Sequence, residues 1–106
     1  MVEIRGEVDQ KERGQMMRPG VVKLDAKEFL HIPIFRLRIL TAPGKLVQVL
    51  YKGEPPGDAD IGEQVIVKGI DKGGVIHARS IFNLTTNSWV TPAPGFLQKM
   101  FGDLFL

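Results

Sequence analysis

The 106-residue chain contains no cysteine, which removes disulfides, thiolate nucleophiles and cysteine-based zinc sites together. Histidine is scarce: His31 and His77 are the only two. A catalytic zinc site takes three protein ligands, and no acidic residue stands near either histidine in a recognisable ligand pattern. No apolar run approaches the roughly 20 residues of a membrane-spanning helix. The N-terminal stretch MVEIRGEVDQ lacks the apolar segment of a signal peptide. These absences describe a soluble, cytoplasmic protein, either entire or as a piece of a longer one. No glycine-rich phosphate loop occurs, and no strand–turn–helix nucleophile elbow surrounds Ser80, Thr85, Thr86 or Ser88. The expectation is a non-enzyme without a cofactor. Asn83-Leu84-Thr85 is a glycosylation acceptor only in a secreted chain.

What is present is ordinary for a single small domain: 43% hydrophobic and 25% charged residues, with a net charge of +2. The charge is unevenly placed. Residues 1–52 hold ten Lys/Arg against six Asp/Glu, whereas residues 53–106 hold four against six. A basic half favours an anionic partner; solvated loops are the competing reading.

The clearest local signal is Ile61–Leu84. Apolar runs Gln64–Ile70 and Val75–Phe82 flank the turn Asp71-Lys72-Gly73-Gly74, a hairpin pattern. Val2–Val8 alternates as a half-buried strand, in which Gly6 suggests a bend or bulge. Asp9–Gly20 is polar, without period, and reads as a long basic connection. Val21–His31 is ambiguous between a strand and a one-turn helix. Ile34–Leu40 and Lys45–Tyr51 form a second hairpin around Ala42-Pro43-Gly44. Phe35, Leu37 and Ile39 alternate with Arg36 and Arg38, so the two arginines share a face about 7 Å apart. Lys52–Ile61 is a loop. With so few helical segments, five strands predict an all-β barrel or sandwich.

After Trp89-Val90, Thr91–Gly95 reads as a linker. Phe96, Leu97, Met100, Phe101, Leu104 and Phe105 then recur at helical spacing. An apolar helix of that length is marginal alone. It would dock on the domain, self-associate or touch a membrane surface.

The order strand, long connection, hairpin, loop, hairpin, with VEIRGEV at 2–8, KLVQVLY at 45–51, GEQVIVKG at 62–69 and VIHARSIFNL at 75–84, resembles the OB-fold. The closing RSIFNLTTNSW at 79–89 is similar to the end of OB-like domains of uncharacterised bacterial proteins. The resemblance implies a five-stranded antiparallel OB-type barrel over 1–90, with a linker and short amphipathic helix over 91–106. The broader family commonly binds single-stranded nucleic acid across strands two and three and adjacent loops. The periplasmic haem chaperones of cytochrome c maturation are also similar, sharing V-x-Y-x-G-x-x-P at 49–56. The histidine and tyrosine through which that family holds haem have no counterpart in 83–90, so no haem is expected.

On that resemblance, the candidate nucleic-acid contacts are Arg36 and Arg38 on strand two and Lys45 opening strand three. Arg13 and Arg18 would border them from the first connection, and Lys72 from the last turn. A guanidinium pairs with phosphate bidentately and stacks on bases. The same residues could simply keep an exposed sheet soluble. Tyr51 would stack if exposed, but it shares its face with Val47 and Val49. Trp89 is expected to cover one end of the barrel, with base stacking as the alternative. His77 is expected to face outward. The proposed partner is single-stranded DNA or RNA. The alternative is a protein-interaction or oligomerisation domain working through Phe96, Met100, Phe101 and Leu104. Small-ligand carriage has no residue behind it.

Overall fold

The computed structural model describes residues 1–19, 29–42 and 44–93, without the side chains of residues 17–19 and 29–31. Every regular element among them is a strand: β1 (Val2–Pro19), β2 (Phe29–Thr41), β3 (Lys45–Lys52), β4 (Gln64–Lys72), β5 (Val75–Asn83) and the two-residue β6 (Ser88–Trp89). The expected C-terminal helix, carrying Phe96, Met100, Phe101 and Leu104, lies outside the described residues. So does most of Val21–His31.

The strands follow the order β3-β2-β1-β4-β5-β6, and β3 also pairs with β5. Five strands therefore form a closed ring, with β6 added beside β5. The β3–β5 pairing is parallel and covers three register pairs; every other pairing is antiparallel. Side-chain alternation explains the closure. Phe35, Leu37 and Ile39 of β2 point inward and meet Val8, Val49, Val65, Val67, Ile76 and Ile81 in a single core. Each such side chain contributes about 1.5–3 kcal/mol when fully buried. Ala59 and Val90, from outside the ring strands, complete that core.

Asp9–Pro19 is not a loop. It continues β1 and pairs with β2 from Gln10↔Arg38 to Pro19↔Phe29. The segment has no apolar period because its inward positions, Lys11 and Arg13, are covered by carboxylates rather than by hydrocarbon. A strand whose inward face is ionic leaves no trace in hydrophobic patterning. Past Ile34↔Lys52 the ribbon of β1 and β2 runs on without a third strand.

The bulge lies at Asp9, not at Gly6: the β1–β2 register shifts between Val8 and Gln10. Gly6 pairs regularly with Val65. It is glycine for want of space, since a Cβ there would stand 2.4 Å from the Leu40 carbonyl oxygen and 2.7 Å from Ile39 Cγ2. The Asp71–Gly74 hairpin forms as expected, with Asp71 Oδ1 accepting the Gly74 amide at 3.0 Å.

Candidate nucleic-acid interface

Two sets of basic residues emerge from the ring, and the pleat sorts them. On the inward parity of β1, Lys11 and Arg13 lie opposite Leu37 and Phe35. Lys11 Nζ donates to Asp58 at 3.1 Å and Asp60 at 2.6 Å. Arg13 reaches Glu54 at 3.4 Å and Asp58 at 3.2 Å, and donates to the Gly57 carbonyl. Its guanidinium also lies 4.8 Å from the Phe35 ring centroid, a cation–π contact over a fully buried ring. Hydrogen bonds from Lys11 to Asp60 and Asp58 hold its ammonium above the usual lysine range. Burial pushes the Asp58 carboxyl up, but the combined donors Lys11, the Ala59 amide and Arg13 outweigh it, and the carboxyl titrates below its ordinary range. Both ions are thus held charged across neutral pH.

The acidic loop at 54–60 is gripped from the other side as well. The Gly57 amide donates to Val90 O at 2.8 Å. A Cβ at Gly57 would meet Trp89 O at 2.2 Å, so only glycine admits this approach. Asn83 is fully buried, and its Nδ2 donates to Asp58 O and Glu63 Oε1, both at 3.2 Å. Its Oδ1 accepts the Thr85 and Thr86 amides. An amide so enclosed and so occupied is no glycan acceptor, which removes the conditional reading of Asn83-Leu84-Thr85.

The second set faces outward. Arg36 is exposed and has no ion pair among the described residues. Arg38 is half-buried and pairs with Asp9, the bulge residue, at 2.5 Å. Through the register, Arg38, Gln48, Val75 and Lys72 fall in one row across β2, β3, β5 and β4. Arg36, Leu50, His77 and Ile70 form the next. Lys72 thereby joins the arginines, about 14 Å from Arg38 at ordinary strand spacing. His77, expected to face outward, sits in the same surface. A groove of about 310 Å³ opens beside Arg36 and Arg38, lined by Gln10, Lys11, Glu12, Arg36, Leu37, Arg38, Gln48 and Ile61, so Lys11 reaches it from the inner side.

The other candidates separate from this surface. Tyr51 lies directly across from Phe35 and packs partly against the core, so it shares the inward face and not that of Arg36. Lys45 has the same parity as Val47 and Val49. It stands at the end of the ring beside Val2, Ile4 and Asp71, on a different groove. Arg13 is engaged by the 54–60 loop. The Arg18 side chain is outside the described residues, although its backbone pairs with Leu30 in β1 and β2. The basic first connection is therefore half of a hairpin, with its inner charges already partnered.

Trp89 does not cover the end of the ring; its neighbours Val90 and Thr91 are the fully buried ones. Trp89 is 40% exposed and meets Phe82 edge to face, with ring centroids 4.8 Å apart. An outward aromatic pair was not anticipated. Its signal lay in the parity of Phe82 with Ser80, opposite the inward Ile81.

Among the described residues, no group of three or more His, Asp or Glu side chains stands in metal-holding geometry. No helix there is long and apolar enough to cross a membrane. Comparison with protein-family models, with curated proteins and with solved structures found no significant match to this chain.

Proposed function

We propose that this chain is a non-catalytic binding module built on an OB-type barrel, and that single-stranded DNA or RNA lies across the outer face of β2 and β3. Support for the barrel reading comes from the strand cycle β1-β2-β3-β5-β4-β1 with its lone parallel seam. The observation that carries the functional reading is the outward surface where Arg36, Arg38, Gln48, His77 and Lys72 adjoin beside an open groove. Arg36 and Lys72, lacking ion pairs among the described residues, are the phosphate contacts. Arg38, steadied by Asp9, sets the register between them. Gln48 supplies a neutral hydrogen-bonding group at the centre. Lys11, Arg13, Lys45 and Tyr51 are not assigned contacts: Lys11, although it borders the groove, and Arg13 are ion-paired to the 54–60 loop, and the others stand on the opposite parity.

The test is fluorescence anisotropy of a labelled single-stranded oligonucleotide at low and at physiological salt. Affinity is expected to fall with salt, and the Arg36→Ala/Lys72→Ala protein should lose about 0.7 of the logarithmic salt slope per contact removed. Absence of binding at low salt would sink the proposal.

A further inference from the structure

The outer face of β4, β5 and β6 presents a second surface. Arg5, Ile66, Phe82 and Trp89 occupy one register row across β1, β4, β5 and β6. Glu3, Lys68 and Ser80 form the row beside it. Between them lies a mainly apolar hollow of about 190 Å³, lined by Glu3, Ile66, Lys68, Ser80, Phe82 and Trp89. Lys68 holds Glu3 only at 3.6 Å, and both side chains are more than half exposed. Exposed pairs of this kind contribute little, so a phosphate can displace the carboxylate. Arg5 is exposed and has no ion pair among the described residues. An apolar hollow with Lys68 on its rim, and Arg5 in the same register row as Ile66, Phe82 and Trp89, matches a ligand that joins an aromatic ring to a negative charge able to take Lys68 from Glu3.

Resting on the nucleic-acid reading above, we infer that the Phe82–Trp89 pair is a base-stacking site for the same single strand. One base packs against the Trp89 indole, and the flanking phosphates are held by Lys68 and Arg5. β1 links the two surfaces, because Arg5 and Gln10 both project from its outer face, about 17 Å apart at 3.3 Å per residue. A strand crossing the β2–β3 face can therefore continue over β1 onto Trp89. Its charge is drawn along the outside of the ring, while the basic residues inside are kept by the 54–60 loop.

Trp89 is the only tryptophan, so intrinsic fluorescence reports on this site alone. The full chain is titrated with an unlabelled oligothymidylate of about 16 nucleotides, the upper end of what one such domain covers. Tryptophan emission is followed beside the anisotropy of a labelled copy. Quenching should saturate at the concentration where anisotropy does. Trp89→Leu, which keeps apolar cover on Phe82, should weaken binding about tenfold, within the range for one lost stack, whereas Trp89→Phe restores most of it. Arg5→Ala, which leaves Phe82 and Trp89 in place, should lower the salt slope by about 0.7. Binding seen by anisotropy with unchanged emission and an unaffected Trp89→Leu protein would overturn this site and leave the β2–β3 face standing. No binding by either readout would remove both. A mass in solution that rises with concentration in the wild type and not in Trp89→Leu would make the patch a contact between copies, and would overturn the stacking site as well.

Discussion

Lys11 and Arg13 on β1 and Arg36 and Lys72 across the sheet look alike as residues, yet the fold gives them opposite surroundings. The first two point toward the core side and are tied to Asp58, Asp60 and Glu54. The others point away from it and meet no carboxylate at ion-pair distance among the described residues. What divides them is parity, set by the pleat and shifted by the Asp9 bulge. Parity alone does not settle a basic residue's availability, since outward Arg38 is paired with Asp9 and outward Lys68 with Glu3; what counts is whether the side it occupies also brings a carboxylate within reach.

Neighbouring residues on β2 give the widest contrast. Phe35→Ala should destabilise by about 3–5 kcal/mol in denaturant unfolding, since it empties a fully buried site and strips the ring from beneath Arg13. On the gripped side of the molecule, Asn83→Ala should cost about 1–3 kcal/mol by the same measurement. It removes the acceptor of the Thr85 and Thr86 amides and the donor that ties Asp58 O to Glu63, which keeps only the Asp60 amide. A loss as small as that of a surface substitution would mean that the loop is not held as described.

Lys11→Met should cost less, about 0.2–1 kcal/mol, because its partners Asp58 and Asp60 are half or more exposed. Its signature is in pH. The raised Lys11 pKa contributes stability that is complete below the ordinary lysine value of about 10.4 and is lost as pH climbs through the raised one. The lowered Asp58 pKa contributes stability that is present above about 3.9 and is lost as pH falls through the lowered one. Wild-type minus Lys11→Met melting temperatures should be level through neutral pH and converge at both extremes. A difference that persists above the lysine range would break the account of the ion cluster. The smallest effect belongs to Arg36→Ala, expected within about 0.5 kcal/mol of wild type in stability while losing ligand. A large destabilisation there would place Arg36 with Lys11 and erase the distinction.

How much of this was legible in the sequence follows from what each strand buries. β2, β4 and β5 bury hydrocarbon on one side, and their period of two announces them. The outer half of β1 carries ion pairs on its inward side, so Asp9–Pro19 has no apolar period and reads as a loop. Arg36 and Arg38 could be placed on one outward face because Phe35, Leu37 and Ile39 mark the other. Lys72 could not be joined to them, since the parallel register of β3 with β5 is a long-range fact. The OB-fold resemblance groups Lys45 and Tyr51 with the arginines on strands two and three, although their alternation with Val47 and Val49 sets them on the inner side. The size of Trp89 favours a cover over one end of the barrel, but Trp89 is exposed and the residue after it, Val90, is the one buried in the core.

The three register pairs between β3 and β5 are the thinnest join in the ring, and the row from Arg38 through Gln48 and Val75 to Lys72 runs directly over them. Openings that free backbone amides to exchange with solvent should begin at this seam. A strand of nucleic acid laid along that row would bridge the join from outside. Deuterium uptake at Gln48–Leu50 would then slow on binding more than anywhere else in the chain, so that occupancy of the outer face is recorded as the closure of a circle.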